Sequence, residues 1–227
     1  MTAEKTLGKT AEKTERYPGQ VSKAVAVDIV LLPPREIAEL CVKLNRKIIR
    51  RSADNRVPLS LTGTLPHVSL AMGAIEPDAV DDIAESLTRI GDRYLPYTAA
   101  YKGFAAVKTS ENIIVSGMDI VKDEIIIGMQ SEISSVLKEF NLCRVTPDMV
   151  YPDKIPITDF TINYSSDYLV NVDSRRFSPH ITLGNGDIYQ IRDLPVMPES
   201  FVCTDIAVCH LGNHCTCRKI LWHYDEQ

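Results

Sequence analysis

The chain has 227 residues, of which 44% are hydrophobic and 24% are charged, an ordinary composition for a globular protein with a sizeable core. Its net charge of −5 excludes a broad electrostatic grip on duplex nucleic acid, but not a local basic pocket for a small nucleotide or an RNA terminus. No apolar run reaches the length of about 18 residues that a transmembrane helix needs, so we expect no membrane partner.

The N-terminal residues 1–20 are polar and rich in Lys, Glu and Thr. This composition predicts a disordered or frayed tail ahead of one bilobal domain over residues 21–227. The tail lacks the apolar region of a secretory signal. We therefore expect a cytoplasmic protein in which the six cysteines are reduced thiols.

Apolar periodicity and turn residues predict alternating strands and helices along the rest of the chain. The first element, residues 23–32, is a buried strand that contains one charged residue inside its apolar run, Asp28. The elements predicted after it are a helix over 35–51, a strand ending near 75, a helix over 76–94, a hairpin of 97–107 and 112–118, a helix over 123–140, a strand near 180, and a hairpin of 201–211 and 215–224.

A long segment over residues 141–176 interrupts this pattern with three prolines and little sustained period. Loops of this length are usually functional or disordered, and we expect part of this one to form a short helix or a lid. The order of elements predicts an α+β protein with two antiparallel-sheet lobes, flanking helices and a central cleft.

Two pentapeptides echo each other: Pro-His-Val-Ser-Leu at residues 66–70 and Pro-His-Ile-Thr-Leu at residues 179–183. Residues two apart on a strand point to the same side, so each histidine shares a side with the hydroxyl residue that follows it. The candidate site residues are therefore His67, Ser69, His180 and Thr182. By average residue usage, two such copies in one chain are far rarer by chance than one.

These two His-x-(Ser/Thr) motifs, on equivalent strands of a bilobal α+β chain, resemble the two-histidine (2H) phosphoesterase superfamily. That superfamily includes the 2′-5′ RNA ligase-like proteins and the cyclic nucleotide phosphodiesterases. The resemblance covers most of the chain and implies that both histidines are catalytic and that Ser69 and Thr182 bind the substrate phosphate. It implies a metal-independent hydrolase with no cofactor that acts on a 2′,3′-cyclic phosphate or a related small phosphodiester.

The residue types fit that chemistry. An unperturbed histidine titrates near pH 6.5, so one imidazole can accept a proton while the other donates one. Hydroxyl donors can stabilise the charge that develops on the phosphoryl oxygens. The near-symmetry of the motifs leaves open which histidine is the base. Further candidates for substrate contact, as cations or as a stacking ring, are Arg175, Arg176, Lys102 and Phe177.

Two other functions remain as alternatives. The first is a non-catalytic module of the same fold that binds a nucleotide or an RNA end. The second is a zinc-stabilised interaction protein, since cysteines and histidines crowd the C-terminal hairpin. The second fits less well, because Cys215 and Cys217 are closer than the usual zinc-knuckle spacing and a hairpin with buried thiols accounts for the pattern.

Overall fold

A computed structural model describes residues 24–109, 112–142 and 144–224. The predicted N-terminal tail and Cys143 lie outside the described residues. The described residues confirm the α+β prediction, with four helices, eight strands and three short 3-10 turns. In chain order the elements are β1 (Val25–Leu32), α1 (Arg35–Ser52), β2 (Val68–Ile75), α2 (Ala79–Tyr94), β3 (Tyr97–Lys108), β4 (Ile114–Ile120), α3 (Glu124–Phe140), α4 (Asp159–Asn171), β5 (His180–Asn185), β6 (Ser200–Cys203), β7 (Asp205–Gly212) and β8 (Thr216–His223), and the 3-10 turns are Pro147–Met149, Ile188–Gln190 and Asn213–Cys215.

The strands form two four-stranded sheets in which every pairing is antiparallel. The first sheet has the order β2-β1-β7-β8, and the second has the order β5-β4-β3-β6. The two strands that carry the motifs, β2 and β5, are therefore edge strands of different sheets.

The chain runs twice through the same unit of a strand, a helix and a motif strand, in which the histidine stands at or just before the first residue. The first unit is β1-α1-β2, and the second is β4-α3-β5 with α4 inserted before β5. Each helix packs on the motif strand of the other unit, so that α1 lies against β5 and α3 lies against β2. The largest cluster of buried residues draws side chains from both sheets, which couples the two units through one core.

The local sequence explains where the helices begin and which face they bury. Pro34 precedes α1, where its fixed backbone angle suits a helix start. Asp123 caps α3 by accepting a hydrogen bond of 2.9 Å from the Ile126 amide. The buried stripe of α1 includes Ile37, Cys41 and Leu44, as its periodicity predicts. Within the described ranges, no helix has the length and apolar character needed to cross a membrane.

The structure corrects the predicted C-terminal hairpin, whose first strand is two strands. The chain leaves regular structure at Thr204 and changes sheets there. On one side of this break β6 pairs with β3, and on the other side β7 pairs with β1. The run from 201 to 211 is largely apolar, with Thr204 and Asp205 at the break, and the two pairing partners divide it into separate strands.

Within the segment over residues 141–176, the main element is the helix α4, which packs on β2. Its periodicity is weak because small polar residues, Thr161 and Ser165, are among those it buries. Thr161 donates its hydroxyl to the side-chain oxygen of Asn213 at 3.0 Å, which fastens α4 to the turn before β8. The segment therefore covers part of the first sheet rather than forming a loop.

The expectation that all six cysteines are reduced is wrong for two of them. Cys209 on β7 and Cys217 on β8 form a disulfide, with their Cα atoms 5.6 Å apart. Neighbouring antiparallel strands bring two cysteines to this distance, which is typical of disulfides. Among the described cysteines, Cys41, Cys203 and Cys215 are free thiols.

Candidate active site

The two motifs lie on strands that contact each other without pairing. Cα atoms of β2 and β5 come within 8 Å of one another, although the strands are the edges of separate sheets. The residues behind the motifs, Val68 and Leu70 in one and Ile181 and Leu183 in the other, are buried in the same core. The shared core holds both motif backbones in place and leaves the histidine and hydroxyl sides facing away from it.

The first motif is organised around the buried carboxylate of Asp28 on the neighbouring strand β1. Asp28 is 0% exposed, and its Oδ2 accepts a hydrogen bond of 2.7 Å from the Ser69 hydroxyl. The same oxygen lies 3.5 Å from Nε2 of His67, whose side chain is 11% exposed. A hydroxyl has a single proton to donate, so Ser69 gives its proton to Asp28 rather than to a ligand in this arrangement.

Electrostatics couple His67 to Asp28. Burial lowers the pKa of His67, but the neighbouring Asp28 carboxylate and the Leu65 carbonyl together outweigh burial and leave the pKa above its usual value. Burial also raises the pKa of Asp28, and the nearby His67 and Ser69 offset only part of that rise. The two groups are therefore a coupled pair, in which the charge of each one affects the pKa of the other.

The second motif is more open and has no comparable partner. His180 is exposed, and its ring lies beside Gly117 of β4, where an added Cβ would be 3.6 Å from Cδ2 of the imidazole. Asp119 is opposite His180 in the β4–β5 register. Within the described part of the chain, however, no carboxylate lies within ion-pair distance of His180, and the Thr182 hydroxyl makes no hydrogen bond to another protein group.

Both histidines are oriented in the same way by the backbone that precedes them. The Nδ1 atom of His67 lies 2.7 Å from the carbonyl oxygen of Leu65, and that of His180 lies 2.8 Å from the carbonyl oxygen of Ser178. A carbonyl only accepts, so Nδ1 carries the proton in each ring. In each motif this leaves Nε2 as the ring nitrogen that the preceding carbonyl does not hold, and in the first motif that nitrogen faces Asp28.

The candidate cations differ in whether they already have partners within the protein. Arg175 forms an exposed ion pair with Asp173 at 3.0 Å, and Arg176 donates to the Asn171 carbonyl at 3.3 Å. Lys102 is exposed at an irregularity of β3, next to Gly103, which shares a row of the sheet with Asp119 and thus with His180. Of these residues, Lys102 is the one with no partner among the described side chains.

Phe177 does not have the surroundings that a stacking residue needs. Its ring is 2% exposed and belongs to the main core. A nucleobase requires a free aromatic face, and a ring packed on all sides has none. Phe177 instead anchors the turn before β5, where its amide donates to the Asp173 carbonyl at 2.8 Å.

The cysteine- and histidine-rich hairpin contains no assembled metal site among the residues that the structure describes. Two of its thiols are consumed by the Cys209–Cys217 disulfide. His210 donates through Nε2 to the Met149 carbonyl at 2.9 Å, so that nitrogen is also engaged. The disulfide therefore joins the two strands of the hairpin, and the His210 hydrogen bond joins the hairpin to the 3-10 turn Pro147–Met149.

Sequence reasoning identified Asp28 as a lone charge but did not connect it with His67. An acidic residue inside an otherwise apolar strand indicates that a partner for it exists, because a carboxylate is almost never fully buried unless it is paired. Its partners come from β2, far along the chain, and the pairing of β1 with β2 fixes that contact. The register of the strands was the missing information.

No protein-family profile matches the chain, and no curated protein matches it. Solved structures that share its fold include one described as a phosphoesterase, with a TM-score of 0.50, and Escherichia coli LigT complexed with NADP+, with a TM-score of 0.51. Each is 15% identical to the chain, and each match covers 89% of this chain and 98% of the other. At this level of identity the likeness shows the fold, which the chain shares with both structures over most of its length.

Proposed function

We propose that the protein is a phosphodiesterase that opens a 2′,3′-cyclic phosphate or a related small phosphodiester by two-histidine acid and base catalysis. The observation that carries this proposal is the matched pair of imidazoles on contacting strands. Each has its Nδ1 proton held by a backbone carbonyl two residues earlier, and each therefore offers Nε2 for chemistry.

Hydrolysis of a phosphodiester requires one proton transfer to a base and one proton transfer from an acid. A base removes a proton from water while the water oxygen bonds to phosphorus, and an acid gives a proton to the oxygen that departs as its bond to phosphorus breaks. Each positioned proton transfer contributes about 10²- to 10⁴-fold to the rate. His67 and His180 supply both groups, so no step in this scheme draws on a metal ion.

The negative charge on the non-bridging oxygens also needs donors. The Thr182 hydroxyl is free to donate to such an oxygen, whereas the Ser69 hydroxyl is engaged with Asp28. Among the candidate cations we favour Lys102, because its ammonium is exposed and has no partner among the described residues, so it is free to meet a phosphate. We assign Thr182 and Lys102 as phosphate contacts, with Arg176 as a peripheral cation.

The substrate class we propose is a nucleotide or an RNA terminus. E. coli LigT, which shares the fold, was solved with NADP+, a nucleotide that carries phosphate groups. The net charge of −5 fits recognition of a single terminus rather than a long duplex. A cytoplasmic location remains our prediction.

A non-catalytic module that binds a nucleotide or RNA end is the second candidate function. One feature of the first motif favours it: the His67 side chain is only 11% exposed and its Nε2 faces a carboxylate. A binding module would use the open His180 and Thr182 side and would not need proton transfer by His67. Retention of both histidines and both hydroxyls favours the enzyme.

Turnover of 2′,3′-cyclic nucleotides, measured with and without EDTA, tests the proposal. We expect hydrolysis that survives EDTA and falls by about 10²-fold or more in both His67→Ala and His180→Ala. His223→Ala is a matched control, because His223 is exposed on β8 at the opposite edge of the first sheet from β2. Binding without turnover would support the module instead, and loss of turnover in EDTA would contradict the metal-free scheme.

A further inference from the structure

The scheme above leaves open which histidine is the acid and gives no role to the buried Asp28. Resting on the proposed function, we propose that Asp28 is a positioning residue that keeps His67 protonated, so that His67 is the acid and His180 is the base. Asp28 acts through His67 and does not itself contact the substrate.

The burial of Asp28 makes this coupling strong. An ionised carboxylate without water is stabilised only by the donors and charges around it. Ser69 supplies one donor at 2.7 Å to Oδ2, while Oδ1 is buried and accepts no hydrogen bond from a described residue. The charged group that acts on Asp28 is His67, which is therefore its main source of compensation.

The contacts of the His67 ring point to the protonated form. One side of the ring faces the Leu65 carbonyl at 2.7 Å, and the other faces Asp28 Oδ2 at 3.5 Å. Both neighbours are acceptors, so a neutral ring would direct the lone pair of Nε2 toward a carboxylate. An imidazolium, with a proton on each nitrogen, satisfies both sides.

The other titratable groups near Asp28 do not compete for this role. Tyr164 and Tyr168 approach it from α4, and Cys215 approaches from the turn before β8. Burial raises the pKa of all three above their usual values, so each is neutral near pH 7. Cys209, the partner of Asp28 in the β1–β7 register, is in the disulfide and does not titrate.

The distance between His67 and Asp28 leaves the proton transferable. At 3.5 Å, Nε2 and Oδ2 are farther apart than in an ordinary N–H···O hydrogen bond of about 2.9 Å. The carboxylate therefore stabilises the positive charge without capturing the proton. A substrate oxygen that approaches Nε2 can therefore compete with Oδ2 of Asp28 for this proton.

The second motif has the complementary arrangement. No carboxylate among the described residues lies within ion-pair distance of His180, and its Nε2 has no protein partner there. The base step then runs through His180 Nε2, which takes a proton from the attacking water as the water oxygen bonds to phosphorus. The bond from phosphorus to the departing oxygen breaks, and that oxygen takes its proton from His67 Nε2.

A titration of the histidine ring protons by NMR tests the coupling without any need for turnover. The chain has five histidines, and His67→Gln identifies the resonance of His67. We expect the midpoint of His67 to lie above about 6.5 in the wild type. In the near-isosteric Asp28→Asn, the midpoint of His67 should fall, because the carboxylate that stabilises the imidazolium is gone. An unchanged midpoint of His67 in Asp28→Asn would overturn the proposal.

A second variant and the pH profile keep the test decisive if Asp28→Asn folds poorly. Ser69→Ala removes the competing donor but keeps the carboxylate, so the midpoint of His67 should stay high or rise, and a fall contradicts the proposal.

With 2′,3′-cyclic nucleotide as substrate, the alkaline limb of kcat/KM should move to lower pH in Asp28→Asn. A uniform loss at all pH values would mark Asp28 as merely structural. Absence of turnover in the wild type would refute the proposed function while the NMR result still decides the coupling.

Discussion

The buried side-chain amide of Asn45 on α1 donates a hydrogen bond of 2.8 Å to the backbone carbonyl of Leu183 on β5. The same amide donates to the Val57 carbonyl at 2.8 Å, and its oxygen accepts from the Leu59 amide at 2.9 Å. This one side chain ties the helix of the first unit, and the loop after it, to the strand that carries His180.

We predict that Asn45→Ala destabilises the protein by about 3 kcal/mol, because it leaves buried backbone groups without partners. Urea unfolding followed by circular dichroism measures this loss. Asn55→Ala is the matched control, since Asn55 is exposed in the loop after α1. A loss in Asn45→Ala no larger than that of the control would show that these hydrogen bonds do not hold β5.

The Thr182 hydroxyl should contribute more to kcat/KM than the Ser69 hydroxyl. The Thr182 hydroxyl is free among the described residues, whereas Ser69 donates to Asp28. Thr182→Val should therefore lower kcat/KM for a 2′,3′-cyclic nucleotide by about 10²-fold, the usual cost of one oxyanion donor, and Thr182→Ser should restore most of it. Ser69→Ala should cost less. Equal losses at the two positions would contradict the assignment of Thr182 as the phosphate donor.

The Asp28–His67 pair should make stability depend on pH in a defined direction. A histidine with a raised folded pKa contributes stability below its unfolded pKa, and that contribution is lost as the pH rises through the folded value. The raised pKa of Asp28 acts with the same sign, because the folded state holds its proton to higher pH. The difference in free energy of unfolding between the wild type and Asp28→Asn should grow as the pH falls from 9 toward 5.

Urea titrations of both proteins at pH 5, 7 and 9 measure that difference. Contributions of the other titratable groups largely cancel, because the two proteins differ at one buried position. A difference that is constant with pH, or that grows toward alkaline pH, would exclude a charged His67 stabilised by Asp28.

The docking of α4 should depend on Asn213. Its side-chain oxygen accepts from the Thr158 amide at 3.0 Å and from the Thr161 hydroxyl, and its amide donates to the Pro156 carbonyl at 3.0 Å. Asn213→Ala should make the amides of α4 exchange with deuterium faster while those of α1 stay protected. Asn163→Ala, on the exposed face of α4, is the control. Unchanged protection of α4 in Asn213→Ala would contradict this account.

Much of the fold could be predicted from the sequence, because a regular spacing of apolar residues indicates both the type of an element and its buried face. The core stripe of α1 and the alternating residues of both motifs fix their own buried faces, whatever they pack against. The helix α4 was less predictable, because it buries Thr161 and Ser165, whose polar groups are satisfied by specific partners. A search for periodic apolar residues does not detect a buried helix face that is made of polar residues.

The candidate site was predictable only in part, for a related reason. The two histidines and their hydroxyls are local patterns within single strands. The contact of His67 with Asp28, and the disulfide between Cys209 and Cys217, depend instead on which strands pair and in what register. A single sequence does not specify that pairing, and the same limit hid the change of sheet at Thr204.

A crystal structure with a nucleoside 2′- or 3′-phosphate, the two possible products of the proposed opening of a cyclic phosphate, tests the central claim most directly. The account predicts one phosphate bound between the motifs, with Nε2 of His67 and Nε2 of His180 each within about 3 Å of a phosphate oxygen. A phosphate that contacts only one of these rings, or that binds away from both, would contradict it.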